Sequence, residues 1–206
     1  MSRNVRKRAA RKAPAERAAE IAGTAREIAL DQGLGAVTLR AVAAGAGVTP
    51  ALVAHYAPNM DRLIADTFTG IVMAELDDVL ELVSGETAAS ARLARLVETL
   101  FDEGRVDVTV VWVESWALGR RNTTLAEAVR AAMDAWQQAV EKIVADGVTS
   151  GEFTTDDPAA VAWQLIGMID GVNAQALVRW GRSAERGSLI VHAMEATLGL
   201  RAGTLR

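Results

Sequence analysis

Two sets of side chains in this sequence could do chemistry. The first is Thr38, Arg40, Thr49, His55, Tyr56 and Asn59, crowded into one short stretch. Hydroxyls, a guanidinium, an imidazole and a carboxamide are the groups that bond phosphate oxygens and base edges. The second is Trp112, Trp116, Met133, Trp136 and Trp163, with Asp170 among apolar neighbours. Indole faces attract cations, and a buried carboxylate needs a partner. Neither set suits catalysis. No nucleophile–histidine–acid arrangement, phosphate loop or dinucleotide glycine pattern is present, so no catalytic residue is expected. With two histidines, no cysteine and no carboxylate–histidine pair, neither a metal nor a cofactor is expected.

The elements that must position the first set can be read locally. Thr38 suits an N-cap, and Leu39, Val42 and Ala43 recur at helical spacing. Gly45 and Gly47 are expected to break that helix by taking positive φ without a steric penalty. Val48 precedes a second cap, Thr49, and Pro50 takes the first helical position, where a missing N–H costs nothing. The helix from Pro50 to Tyr56 carries mostly small side chains, as a helix entering a major groove must. The unit reads as a helix-turn-helix. Pro50, Ala51, Leu52 and Ala54 are expected to face the groove and read bases by apolar contact. Thr49, His55 and Tyr56 are expected on phosphates, with His55 also able to reach a base edge, and Arg40 on a phosphate or a base. A plain surface imidazole is the alternative for His55.

The spacing of Ala43, Gly47, Val48, Thr49, Val53, His55, Tyr56, Pro58 and Leu63 resembles that of TetR-type transcriptional regulators. The resemblance is clear from about Ile21 to Phe68. It departs at Ala54, Ala57 and Met60, where the family often has Tyr, Phe and Lys. That lysine typically contacts a phosphate. Around His55-Tyr56 and Asp170-Gly171 the chain also looks similar to the choline-responsive branch of the family. The resemblance implies an all-α protein: a three-helix DNA-binding head and a helical body that binds a small molecule and dimerises. It implies a regulator, most often a repressor released from its operator by an effector. An activator, or a sensor acting through protein partners, is the alternative.

Composition agrees with that outline. Half of the 206 residues are hydrophobic and only four are proline. No apolar run approaches a membrane span and no leader is visible, so a cytoplasmic protein without membrane contact is expected. The net charge of −4 divides unevenly. Up to Pro58 nine basic residues face four acids, leaving a basic head on an acidic body of −9. Only the head is suited to a polyanion. Residues 1–13 hold six basic residues and no acid. They read as a disordered arm that could follow phosphates or enter a minor groove, or as a solubilising tail. Residues 14–58 are expected to form the DNA-binding domain and 59–206 the ligand-binding and dimerisation domain.

In that body, Asn59 should cap a long helix ending near Ser84, with later helices over roughly 88–104, 107–118, 124–149, 158–180 and 188–198. The β-branched run Val106–Val113 is read as helix because Trp112 and Trp116 then share a face. The tryptophans could be plain core; as a group they suggest at least one wall of a cavity. Asp170 could face a cationic ligand, an arginine, a helix cap or a twofold-related chain. Gly167, Gly171 and Ala174, with Leu189, Ala193, Met194 and Thr197 of the last helix, read as a homodimer face, or as packing within one chain. Two such heads would engage a near-palindromic duplex operator at successive major grooves, about 34–36 Å apart. The effector's identity stays open.

Overall fold

Pro14 opens the first helix, α1 (Pro14–Gln32), at a position that needs no N–H, and Gly33 closes it at φ 89. The computed structural model describes residues 13–181 and 183–205. The arm expected over 1–13 therefore lies outside the described residues apart from Ala13. A 3₁₀ turn, Leu34–Ala36, leads to α2 (Leu39–Gly45), whose N-cap Thr38 accepts from the Ala41 N–H at 3.2 Å. The next helix, α3 (Pro50–Tyr56), is capped by Thr49, which accepts from Leu52 N–H at 3.3 Å. Gly47 supplies the positive φ between them, at 63°. Gly45 does not: it is the last residue of α2, and its role is contact. A Cβ there would stand 2.6 Å from Thr24 Cγ2 of α1, so the missing side chain lets the two helices approach.

Asn59 caps α4 (Met60–Ser84) by accepting from Arg62 N–H at 3.1 Å. At about 1.5 Å per residue, α4 runs close to 38 Å. Its buried residues divide along its length. Phe68, Ile71 and Val72 belong to a core shared with α1, α2 and α3, while Leu76, Val79 and Val83 belong to a second core in the body. The body continues as α5 (Ala89–Leu100), α6 (Val106–Gly119), α7 (Thr123–Ser150), α8 (Pro158–Leu177) and α9 (Ser183–Thr197). No strand occurs among the described residues. The run 106–113 is helical, as its tryptophan spacing requires.

Three expected boundaries are corrected. The helix expected to reach 104 stops at Leu100, because Asp102 turns the chain by accepting from Gly104 N–H at 2.8 Å. The helix expected to reach Trp180 stops at Leu177, before Arg179 enters left-handed backbone at φ 58. The last helix begins at Ser183 rather than Ser188.

Candidate nucleic-acid interface and effector cavity

The reading surface follows from the way α3 is held. Val53 is its fully buried anchor, wedged into the core of Ile21, Ala25 and Val42. Fixing Val53 inward turns Pro50, Ala51, Ala54 and His55 outward, and all four are exposed. Leu52 and Tyr56 are half-buried, and Tyr56 packs edge-on against His55 with ring centres 5.1 Å apart. Thr38, Arg40, Thr49 and Asn59 are exposed as well. Three of those four are spent on helix caps, so their side-chain oxygens hold α2, α3 and α4 at their starts. The surface is slim at α3, where it carries no acid, with Arg40 and His55 as its basic groups.

The second set surrounds a cavity of about 60 Å³ between α4, α6, α7 and α8. A water needs roughly 10–15 Å³ on the same measure, so the space suits a compact molecule. Trp112, Trp116, Met133, Trp136 and Asp170 line it, and so do Glu75 and Arg105. Trp112 and Trp116 sit one turn apart on α6, with ring centres 6.3 Å apart and planes tilted by 40°. The indole N–H of Trp112 donates to Glu75 Oε2 at 3.3 Å, and Arg105 reaches Glu75 Oε1 at 3.5 Å. The buried indole N–H groups of Trp116 and Trp136 have no acceptor.

Charge in this cavity is unbalanced. Burial raises the Glu75 carboxyl above its usual range, against the lowering effect of Trp112 and Arg105. Burial also raises Asp170, to about 6, and the nearby Glu75 carboxylate adds to the rise. No described group donates a hydrogen bond to Asp170 or pairs with it. Two acids against one arginine leave the cavity one positive charge short when both acids are ionised.

A hydrogen bond ties the helix of the cavity wall to the head. Glu114, between Trp112 and Trp116 on α6, accepts from Gly35 N–H at 2.8 Å. A Cβ on Gly33 would meet that carboxylate at 2.6 Å, so the glycine turn after α1 is shaped to receive it.

Comparison with known proteins decides what this pairing of head and cavity belongs to. Residues 21–67 match the model described as bacterial regulatory proteins, tetR family. Residues 89–198 match the model described as BetI-type transcriptional repressor, C-terminal. The chain belongs to the TetR family of transcriptional regulators. It is 26% identical over 144 residues to the HTH-type transcriptional regulator BetI of Rhizobium meliloti, covering 69% of this chain and 68% of that protein. Among solved structures, a transcriptional regulator from Saccharomonospora viridis in complex with choline superposes with TM-score 0.78 at 23% identity, over 88% of this chain and 96% of that one. A TetR-family regulator from Rhodococcus sp. superposes with TM-score 0.74 at 18% identity, over 89% and 99%. Members of this family bind DNA and dimerise. No helix among the described residues is long and apolar enough to cross a membrane.

Within this regulator two expected site residues are displaced. Trp163 does not line the cavity: it is 70% exposed, two turns before Asp170 towards the start of α8 and short of the stretch from Ile166 to Asn173 that lines it. Met194 does not face outward: it is fully buried in the body core beside Ile190 and Leu198. Gly167, Gly171 and Leu189 are exposed, while Ala174, Ala193 and Thr197 are half-buried. Glu75, Arg105 and Glu114 escaped the sequence reading. Glu75 left a signal, since it falls in the buried phase of α4 between Val72 and Val79. Glu114 left none, because its partner is a backbone N–H 79 residues away.

Proposed function

We propose that this TetR-family regulator is a dimeric repressor that leaves its operator when a compact organic cation enters the cavity. The observation that carries the reading is Asp170: a largely buried carboxylate without a protein partner, in a cavity walled by three indoles. A quaternary ammonium group satisfies both features, since its charge offsets the carboxylate and its methyl groups lie against aromatic faces. The unpaired N–H groups of Trp116 and Trp136 favour a ligand that also carries an oxygen acceptor. Choline has that chemistry, and the likeness to a choline-bound regulator and to BetI supports it. Binding at Trp112 and Trp116 would shift α6, and Glu114 would pass the shift to the Gly33–Gly35 turn of the head. An effector can move the balance only by its differential affinity for the two arrangements.

The pair of heads requires a second copy. Trp163 and Leu189 present exposed apolar surface on α8 and α9, and the glycines of α8 leave room for a facing helix. The reading places the protein in the cytoplasm on a near-palindromic duplex. Calorimetry with choline and with its uncharged isostere, in which carbon replaces the quaternary nitrogen, tests the effector class. Choline binding with the isostere silent is expected. Equal binding of both would remove the role given to Asp170.

A further inference from the structure

The turn between α6 and α7 belongs neither to the reading surface nor to the cavity. It reads Arg120-Arg121-Asn122. Asn122 is buried and ties the turn down at two points. Its Oδ1 accepts from Leu125 N–H at 2.9 Å, and its Nδ2 donates to the Asp61 carbonyl at 3.2 Å. Asp61 lies in the first turn of α4, the segment that directly follows the reading helix. Only Ala57, Pro58 and Asn59 separate α3 from α4, so at most about 14 Å of extended chain joins Tyr56 to Met60. The turn is therefore anchored beside the head, on the side where α3 ends.

Its two arginines are free for a partner outside the chain. Both are exposed, and neither pairs with a carboxylate among the described residues. They help line a surface depression of about 540 Å³ together with Ala117 and Leu118. The cation of the neighbouring α4 turn is already used, since Arg62 is held by Asp66 at 2.8 Å. Adjacent unpaired arginines are out of keeping with a body of charge −9, except where that body comes closest to a polyanion.

We propose that Arg120 and Arg121 form a phosphate-contacting site for duplex DNA, carried by the regulatory body rather than by the helix-turn-helix. The proposal rests on the DNA-binding reading and adds a contact to it. Guanidinium forks match phosphate oxygens in pairs and carry no sequence information, so the site adds affinity and leaves base preference alone. It also sits at the end of α6, whose middle walls the cavity. A ligand that moves α6 then withdraws a DNA contact directly, besides acting through Glu114.

The test uses the full chain and two duplexes of equal length: one recovered by the wild-type protein from its own genomic DNA, and one unrelated. Binding is followed by fluorescence anisotropy across a salt series. Each lost phosphate contact lowers the slope of log affinity against log salt by about 0.9. The Arg120→Gln/Arg121→Gln variant should weaken binding to both duplexes alike, with a slope smaller by about 1.8 per protomer. Arg120→Lys/Arg121→Lys keeps the charge and should keep most of the slope. Arg95→Gln/Arg201→Gln removes the same charge from α5 and the C-terminal tail, and should keep all of it. If the glutamine pair does not fold, the two single variants should each show half the change. A wild-type slope in the glutamine variants, or an equal loss in the Arg95/Arg201 control, overturns the proposal. A wild-type protein that binds neither duplex overturns the DNA-binding reading beneath it.

Discussion

The head and the body solve different problems with the same helix. The head core packs many small residues, among them Ala25, Ala29, Val42, Ala43 and Val53, around the ring of Phe68, and contains no buried carboxylate. What the head offers to a partner lies on its outside. The cavity leaves polar groups unsatisfied: Asp170 without a partner and the indole N–H groups of Trp116 and Trp136 without acceptors. An unsatisfied interior group destabilises the ligand-free fold, so it persists only where something else profits from it. The difference supports the proposed division, in which the head takes its partner on a surface and the body in a cavity. Trp112 stands between them, since it packs against both cores, edge-on to Phe68 at 5.1 Å.

That division can be broken first at the seam. Phe68→Ala should cost about 3–5 kcal/mol of stability, because Phe68 is fully buried. Denaturant unfolding should show a single transition shifted as a whole. A variant that loses the head while the body unfolds unchanged would show that the two cores are independent.

The next effect is in the cavity. Asp170→Asn should weaken choline binding at least tenfold, an order of magnitude set by loss of a charge-assisted contact worth about 1.5–3 kcal/mol. The wild type adds a pH signature. Burial holds Asp170 near 6, so its carboxylate is neutral below that pH and charged above it. Choline affinity should therefore rise as pH climbs through about 6 and then level off. Ligand-free stability should run the opposite way. A carboxyl with a raised pKa favours the fold where it is protonated, and that contribution declines as pH passes through 6. Calorimetry across pH 5–8 (roughly the range in which a group near 6 titrates) should find the rise in the wild type and a smaller one in the variant.

A smaller effect sharpens the link between regions. Glu114→Ala removes the acceptor from Gly35 N–H while leaving the cavity wall in place. Choline should bind with nearly unchanged affinity, yet its effect on DNA affinity should shrink about fivefold or more, the lower end of ordinary coupling energies. Loss of choline affinity itself would place Glu114 in the cavity's chemistry instead. Smallest of all, Leu52→Ala on α3 should alter base preference by roughly 1 kcal/mol at one position. Tyr56→Ala should instead weaken every duplex alike. Equal effects of both on every site would erase the distinction between reading and anchoring residues.

The same contrast explains what could be read in the sequence. Caps at Thr38, Thr49 and Asn59, the turn at Gly47 and the proline at the start of α3 act within a few residues, so their spacing shows them directly. Body helices were visible through periodicity, but their ends at Leu100 and Leu177 depend on single turns that no pattern marks. Which tryptophans share a cavity depends on how α6, α7 and α8 are rotated against each other. Trp136 and Trp163 looked alike in sequence, and packing buried one and exposed the other. Glu114 and Asn122 join segments 79 and 61 residues apart, a distance over which periodicity carries no information.

Reciprocity between the two sites is the most direct test of the whole account. Choline affinity should be measured by calorimetry on the free protein and on its complex with a genomically selected duplex. The account predicts weaker choline binding in the complex, by the same factor by which choline weakens DNA binding. Identical choline affinity in the two states would contradict it, since the cavity would then have no hold on the head.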